Sequence, residues 1–271
     1  MVRILPISDP GTLDAAIDVL RRGEPVAIPT ETVYGLAGDA TNPDAITAIY
    51  EAKGRPRFNP LISHVADLEM AQAHVVFPPV AERLAEAFWP GPLTLVLPLS
   101  SASGIHPLAT AGLGTAAVRM PQGPARELIA RFGRPLAAPS ANRSGRISPT
   151  TAQHVAEDLG DRIGLILDGG RCQVGLESTI LSIGEAGLTL LRPGGIPVEM
   201  IEEAAGSAIE RPGLQPGGGP VIAPGMLASH YAPDTHRGQA RRGDYPVWRD
   251  CPGRRGSGQE GDGSFAIRRS A

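Results

Sequence analysis

Apolar residues recur with a helical period at Leu13, Ile17, Val19 and Leu20, behind Ser8-Asp9-Pro10 and ahead of Gly23, so the first predicted element is a capped amphipathic helix. A strand over Val26 to Pro29 follows and delivers Thr30, Glu31, Thr32 and Tyr34 into a turn. Asn42 and Pro43 then open a helix over Asp44 to Ala52, with Gly54 past its end. Pro60 to Val65 is apolar enough for a buried strand, Pro79 to Phe88 reads as a helix ended by Trp89-Pro90-Gly91, and Leu93 to Leu99 is a strand. Downstream, the pattern predicts strands over Ala116 to Met120, Pro135 to Ala138 and Ile163 to Leu167, and helices over Thr150 to Leu159 and Pro197 to Ile209. Ser178 to Ile183 and Leu188 to Arg192 form a hairpin around Gly184-Glu185-Ala186-Gly187. There is no internal repeat, and strands interspersed with helices imply one twisted, mixed α/β sheet flanked by helices.

Composition narrows this picture. The 271 residues are 42% hydrophobic, enough for a sizeable core, whereas 4% are aromatic and 34 Gly with 27 Pro imply many turns. No run of 18 apolar residues occurs and the N-terminus lacks a secretory pattern, so a soluble, cytoplasmic protein without membrane contact is expected. Cys172 and Cys251 have no metal-ligand spacing and read as plain thiols. The net charge of −3 conceals a basic tail, since residues 236–271 hold eight Arg against four Asp and Glu. The remaining body is acidic, which argues against general nucleic-acid binding by counterion release. Any anion site is therefore a local pocket.

The residues best suited to such a pocket run from Pro29 to Val65. The polar turn Pro29-Thr30-Glu31-Thr32-Val33-Tyr34-Gly35-Leu36 is followed, one helix later, by Lys53-Gly54-Arg55-Pro56-Arg57-Phe58-Asn59 and a strand ending beside His64. Of the 25 Lys and Arg in the chain, 24 are Arg and the one Lys is Lys53. An ammonium is a compact point charge that can follow a phosphate, whereas guanidinium is a planar fork. Lys53 also suits the end of a helix dipole, but arginine would serve that purpose equally well. The Gly-rich loop Ala111 to Thr115 precedes its strand, the reverse of a dinucleotide fingerprint, and neither standard phosphate-loop motif occurs. Ser148 before Pro149 is either a helix cap or a ligand group, and a helix start facing a pocket can be both.

Lys53-x-Arg55, Ser140-x-Asn142, the P-T-E-T-V-Y-G-L turn and Ser178-Thr179-Ile180 together resemble the YrdC/Sua5 family of threonylcarbamoyl-AMP synthases, over roughly residues 8–205 and again at 223–234. The resemblance implies a YrdC-like twisted sheet around a concave, locally positive cavity. It also implies the first step of the threonylcarbamoyl modification of adenosine in tRNA. L-Threonine captures bicarbonate or CO2, and the new carboxylate attacks the α-phosphorus of ATP, releasing pyrophosphate. Transferred to matching positions, Lys53 and Arg55 would hold the triphosphate, with Asn59, Thr115, Ser140, Asn142, Ser148 and Arg192 around the nucleotide. Thr32, His64, Arg119, Ala138 and Ser178 would hold threonine, Arg119 clasping its carboxylate bidentately. Mg2+ is expected to bridge the phosphates, with Asp39 and Asp168 as possible neighbours and no dedicated carboxylate cage. No side chain stands out as a general base.

The domain layout expected is a catalytic domain over 1–210, a linker over 211–235 that folds back with His230 and Tyr231 over ATP, and an Arg/Gly-rich tail over 236–271. That tail does not look like the family's second, Sua5 domain, so a linker-bearing form lacking that domain is expected. The intermediate would pass to the downstream tRNA threonylcarbamoyl transferase machinery, with at most weak tRNA contact. Two other readings remain open from sequence: an RNA-binding module of the same fold, and a carbamoyl-transfer domain of the hydrogenase-maturation type.

Overall fold

The computed structural model describes residues 2–184 and 187–211. The linker beyond residue 211, with His230 and Tyr231, and the tail lie outside the described residues. In chain order the elements are β1 (Arg3–Pro6), α1 (Thr12–Arg21), β2 (Val26–Ile28), β3 (Gly35–Asp39), α2 (Pro43–Lys53), β4 (Ile62–His64), α3 (Leu68–His74), α4 (Pro79–Phe88) and β5 (Leu93–Pro98). There follow β6 (Thr115–Arg119), α5 (Pro124–Phe132), β7 (Leu136–Ala137), α6 (Ala152–Leu159), β8 (Leu165–Asp168), β9 (Thr179–Gly184), β10 (Gly187–Arg192) and α7 (Val198–Ala205).

Where local rules govern, the expected boundaries hold. The Asn42 side chain accepts from the Asp44 amide at the start of α2, Pro43 occupies the first turn, and Gly54 closes the helix at φ 59°. Helix α4 spans the residues expected of it, and β9 and β10 pair as the antiparallel hairpin. Two caps differ from expectation. Helix α1 begins after Gly11 at φ 84° with no side-chain cap, and the nearby hydroxyl of Thr12 donates to the Pro6 carbonyl instead. Helix α6 is capped by Thr151, whose hydroxyl accepts from the His154 amide, so Ser148 is not a cap. Helix α7 stops at Ala205, short of the expected Ile209, because Gly206 turns left-handed at φ 69°.

The ten strands form one mixed sheet in the order β1-β8-β2-β3-β7-β4-β6-β5-β9-β10. Along β2, Val26 and Ile28 belong to one hydrophobic cluster and Ala27 to another, as strand alternation requires of a sheet covered on both faces. Helices α1 and α5 cover one face, whereas α2, α4, α6 and α7 contribute to the core on the other. Strand β3 was not expected, because Gly-Leu-Ala-Gly-Asp lacks strand formers. Its glycines allow close packing: a Cβ on Gly38 would stand 2.9 Å from Ile49 of α2, and one on Gly35 would stand 3.3 Å from Ala138. No described helix is long and apolar enough to cross a membrane.

Candidate functional site

In the parallel pair β4 and β6, His64 lies opposite Arg119 and Ile62 opposite Ala117, so these four residues share one face of the sheet. A cleft opens on that face. Its walls are the turn after β2 with Thr30 and Thr32, the segment after β7 with Ala138 and Ser140, and the approach to β9 with Glu177; Arg55 and Arg192 also line it. Thr32, Arg55, His64, Arg119, Ala138, Ser140 and Arg192, read from sequence as site residues, therefore meet in one place. Thr115 does not line it, standing at the other end of β6 from Arg119.

Each wall is fixed by named bonds. In the turn, the Thr30 hydroxyl donates to the Val33 carbonyl at 2.6 Å, which leaves Thr32 as the donor in the 2.9 Å bond between the two threonine hydroxyls. The Tyr34 hydroxyl anchors the same turn by donating to the Gly170 carbonyl at 2.7 Å. Beneath the Ser140 wall, Lys53 is 2% exposed, and its Nζ donates to the carbonyls of Ser140 and Asn142. Burial, and then the neighbouring Arg55 charge, lower the Lys53 ammonium to about 7. Arg55 is itself held by the carbonyls of Asn59 and Pro60.

Arg119 is buried and committed on two sides. Its Nε donates to the Gly91 carbonyl at 3.1 Å and its Nη2 to Glu31 Oε1 at 2.6 Å. The bidentate clasp expected of Arg119 therefore finds two of its donors already engaged. The second Glu31 oxygen accepts from the Gln122 amide at 3.1 Å. Across the cleft, Arg192 donates through Nε to the Ser178 carbonyl and through Nη2 to the Ser178 hydroxyl, with Glu177 Oε2 at 3.4 Å. Ser148 donates to Glu177 Oε1 at 2.7 Å, which is the role its side chain has in place of a helix cap. Burial alone would raise the Glu177 carboxyl. Arg192, the Ser148 bond, Arg119 and Lys53 together outweigh it and hold the group below the usual carboxylate range.

Three buried polar atoms have no hydrogen-bond partner among the described residues: His64 Nδ1, Asn59 Oδ1 and Asn142 Oδ1. Such atoms are costly unless a ligand or water completes them. Burial and the adjacent Arg119 lower His64 to about 3, so its imidazole is neutral at ordinary pH. Asp39 and Asp168, expected as possible metal neighbours, are occupied elsewhere. Asp39 pairs with Arg134 and accepts from Thr41, and Asp168 accepts from the Gly170 amide; neither lines the cleft. Among the described residues no three His, Cys, Asp or Glu converge as a metal site. The sequence reading missed Glu31 and Glu177 as site residues, since nothing along the chain marks which arginine an acid will meet.

The Sua5/YciO/YrdC family model, described as "Telomere recombination", matches residues 18–194. The threonylcarbamoyl-AMP synthase of Bacillus subtilis is 50% identical over 231 residues, covering 84% of this chain and 66% of that protein. A putative threonylcarbamoyl-AMP synthase of Mycobacterium tuberculosis is 37% identical over 194 residues, 71% of this chain and 88% of its own. Among solved structures, P. abyssi Sua5 complexed with L-threonine superposes with a TM-score of 0.81 at 45% identity, covering 86% of this chain and 69% of that one. E. coli YciO shares the fold at 19% identity and a TM-score of 0.66. The chain spans less than two thirds of the Bacillus subtilis, Pyrococcus abyssi and Schizosaccharomyces pombe synthases, at 66%, 65% and 56% of their lengths. With the family model matching well over half of its residues, the chain belongs to the Sua5/YciO/YrdC family.

Proposed function

We propose that the chain is a nucleotidyltransferase that makes threonylcarbamoyl-AMP from L-threonine, bicarbonate or CO2, and ATP, with release of pyrophosphate. The observation that carries this reading is the convergence of three buried arginines, Arg55, Arg119 and Arg192, on one cleft that also holds a neutral histidine, with buried Lys53 beneath its Ser140 wall. In-line substitution at phosphorus asks a protein mainly for charge neutralisation and alignment, and this cleft supplies both. The relatives' names and the threonine complex of P. abyssi Sua5 support the same substrates.

Within this reading Lys53 and Arg55 hold the triphosphate, and Ser140, Asn142, Ser148, Arg192 and Asn59 surround the nucleotide. The open Oδ1 atoms of Asn59 and Asn142 are acceptors for donors on the ligand. Thr32, His64, Arg119, Ala138 and Ser178 hold threonine. Because Arg119 already gives Nη2 to Glu31, the threonine carboxylate meets its remaining donors. Neutral His64 brings an unpartnered Nδ1 and no charge, which suits a hydrogen bond with threonine rather than an ion pair with its carboxylate. Mg2+ would come with ATP as part of that substrate and would supply further neutralisation of the phosphate charge beside Lys53 and Arg55. The adenylate product passes to an acceptor enzyme that modifies tRNA.

The test is pyrophosphate release by the purified 271-residue chain from ATP and bicarbonate, with and without L-threonine. Threonine-dependent release accompanied by a new nucleotide on chromatography is expected. Well-folded protein that released none under these conditions would overturn the proposal.

A further inference from the structure

The buried Arg55, Arg119 and Arg192 that line the cleft, with Lys53 beneath it, need counter-charge, since like charges removed from water are costly unless paired. Two carboxylates supply it, and they are held differently. Glu31 has a 5% exposed side chain, its oxygens are spent on Arg119 at 2.6 Å and the Gln122 amide, and it belongs to the buried frame. Glu177 lines the cleft itself with a 16% exposed side chain, and its contact to Arg192 is the longer one, at 3.4 Å. The two groups Glu177 touches, Ser148 and Arg192, are both assigned above to the nucleotide.

We propose that Glu177 is an internal competitor of the nucleotide's phosphates: it occupies Ser148 and Arg192 in the ligand-free cleft, yields them to the incoming polyphosphate, and retakes them as pyrophosphate leaves. This inference rests on the nucleotide reading of the cleft. The exchange needs only rotation of one side chain. The backbone around it is pinned, with the Gly195 amide donating to the Glu177 carbonyl at 3.1 Å, and the Val174 and Gly175 amides donating to the carbonyls of Glu31 and Thr32. A carboxylate at this point also limits how tightly any anion is held, which favours turnover over product retention.

The experiment compares the full chain with Glu177→Gln, whose amide oxygen can still accept from Ser148, and with Glu177→Ala as a second variant. Calorimetric titrations use ATP, pyrophosphate and L-threonine. Removing one like charge a few Å from the ligand is expected to tighten ATP and pyrophosphate by about tenfold, leave threonine unchanged, and lower the pyrophosphate concentration that inhibits turnover by a similar factor. A role limited to propping Arg192 would weaken ATP binding in both variants. Unchanged or weaker pyrophosphate binding, with ATP still bound by the unaltered chain, overturns the competitor role and leaves the nucleotide site standing. Absence of ATP and pyrophosphate binding to the unaltered chain overturns both.

Discussion

Lys53 Nζ donates to the main-chain carbonyls of Ser140 and Asn142, residues 87 and 89 positions further along the chain, so the end of α2 is clamped to the segment that follows β7. A planar guanidinium cannot reproduce a point charge gripped between two carbonyls. Lys53→Arg is therefore expected to be as inactive as Lys53→Ala, each lowering threonine-dependent pyrophosphate release by about 10²-fold or more, while circular dichroism shows a folded protein.

The same lysine gives a pH prediction with a clean readout, because it is the single lysine among 25 basic residues and an isotope placed on lysine reports one site. Its ammonium is lowered from 10.5 to about 7 by burial. The unfolded chain holds the proton between these values and the folded chain does not, so this group's contribution makes stability rise with pH across the window from about 7 to 10.5. Below about 7 both states are protonated and the burial cost is present in full. A polyphosphate ligand favours the charged form, so nuclear magnetic resonance titration is expected to show the Lys53 pKa move up on adding pyrophosphate.

Glu31 and Arg119 form a pair whose side chains are 5% and 4% exposed. Removing one member leaves the other buried and unpaired, so Glu31→Ala is expected to cost about 3–5 kcal/mol in urea denaturation. The double variant Glu31→Gln with Arg119→Met is expected to cost less than Glu31→Ala alone, and both are expected to raise the KM for threonine.

Two glycines hold cleft residues by close approach. A Cβ on Gly91 would stand 2.3 Å from the Phe88 carbonyl oxygen, and Gly91 supplies the carbonyl that accepts from Arg119. A Cβ on Gly194 would stand 2.4 Å from the backbone of residues 177–179. Backbone cannot rotate away as a side-chain tip can. Gly91→Ala is expected to weaken threonine binding and Gly194→Ala nucleotide binding, each with a stability loss of about 1–3 kcal/mol measurable by thermal unfolding.

His64 is expected to remain a neutral imidazole from pH 8 down to well below 6.5, because burial and Arg119 lower it to about 3. Nitrogen chemical shifts check this directly. The folded value lies below the unfolded one, so the stability linked to His64 is present above about 6.5 and is lost as the pH falls toward 3.

How far the sequence disclosed this molecule depended on the range of the interaction. Helix α2, with the Asn42 cap and Gly54 stop, is decided within a dozen residues and was legible. Strand β3 was not, because its glycines answer to Ile49 of α2 and to Ala138, contacts that no local pattern shows. Ser148 was read as a cap or a ligand group, and its hydroxyl goes to Glu177, 29 residues away. Lys53 and Arg55 were visible through their shared motif, and Arg119 and Arg192 through the family resemblance that the motifs carry. Their counter-charges Glu31 and Glu177 were not, since which acid neutralises which base is decided by the folded sheet. Strand β1 and helix α3 went unread because each buries little, β1 being a largely exposed edge strand and α3 burying only Ala71; helix α5, which buries Ala125, Leu128, Ile129 and Phe132, was simply missed.

Strand β7 is two residues long, yet among the described strands it is the one that joins β1-β8-β2-β3 to β4-β6-β5-β9-β10. Gly38 and Asp39 pair with it on one side, Ser63 and His64 on the other, and the segment with Ser140 and Asn142 comes next in the chain. The sheet is thus two wings sewn along a narrow seam, with the cleft lying across the stitches. A ligand that touches both Thr32 and Arg119 spans that seam, and so substrate and scaffold share the task of keeping the halves in register.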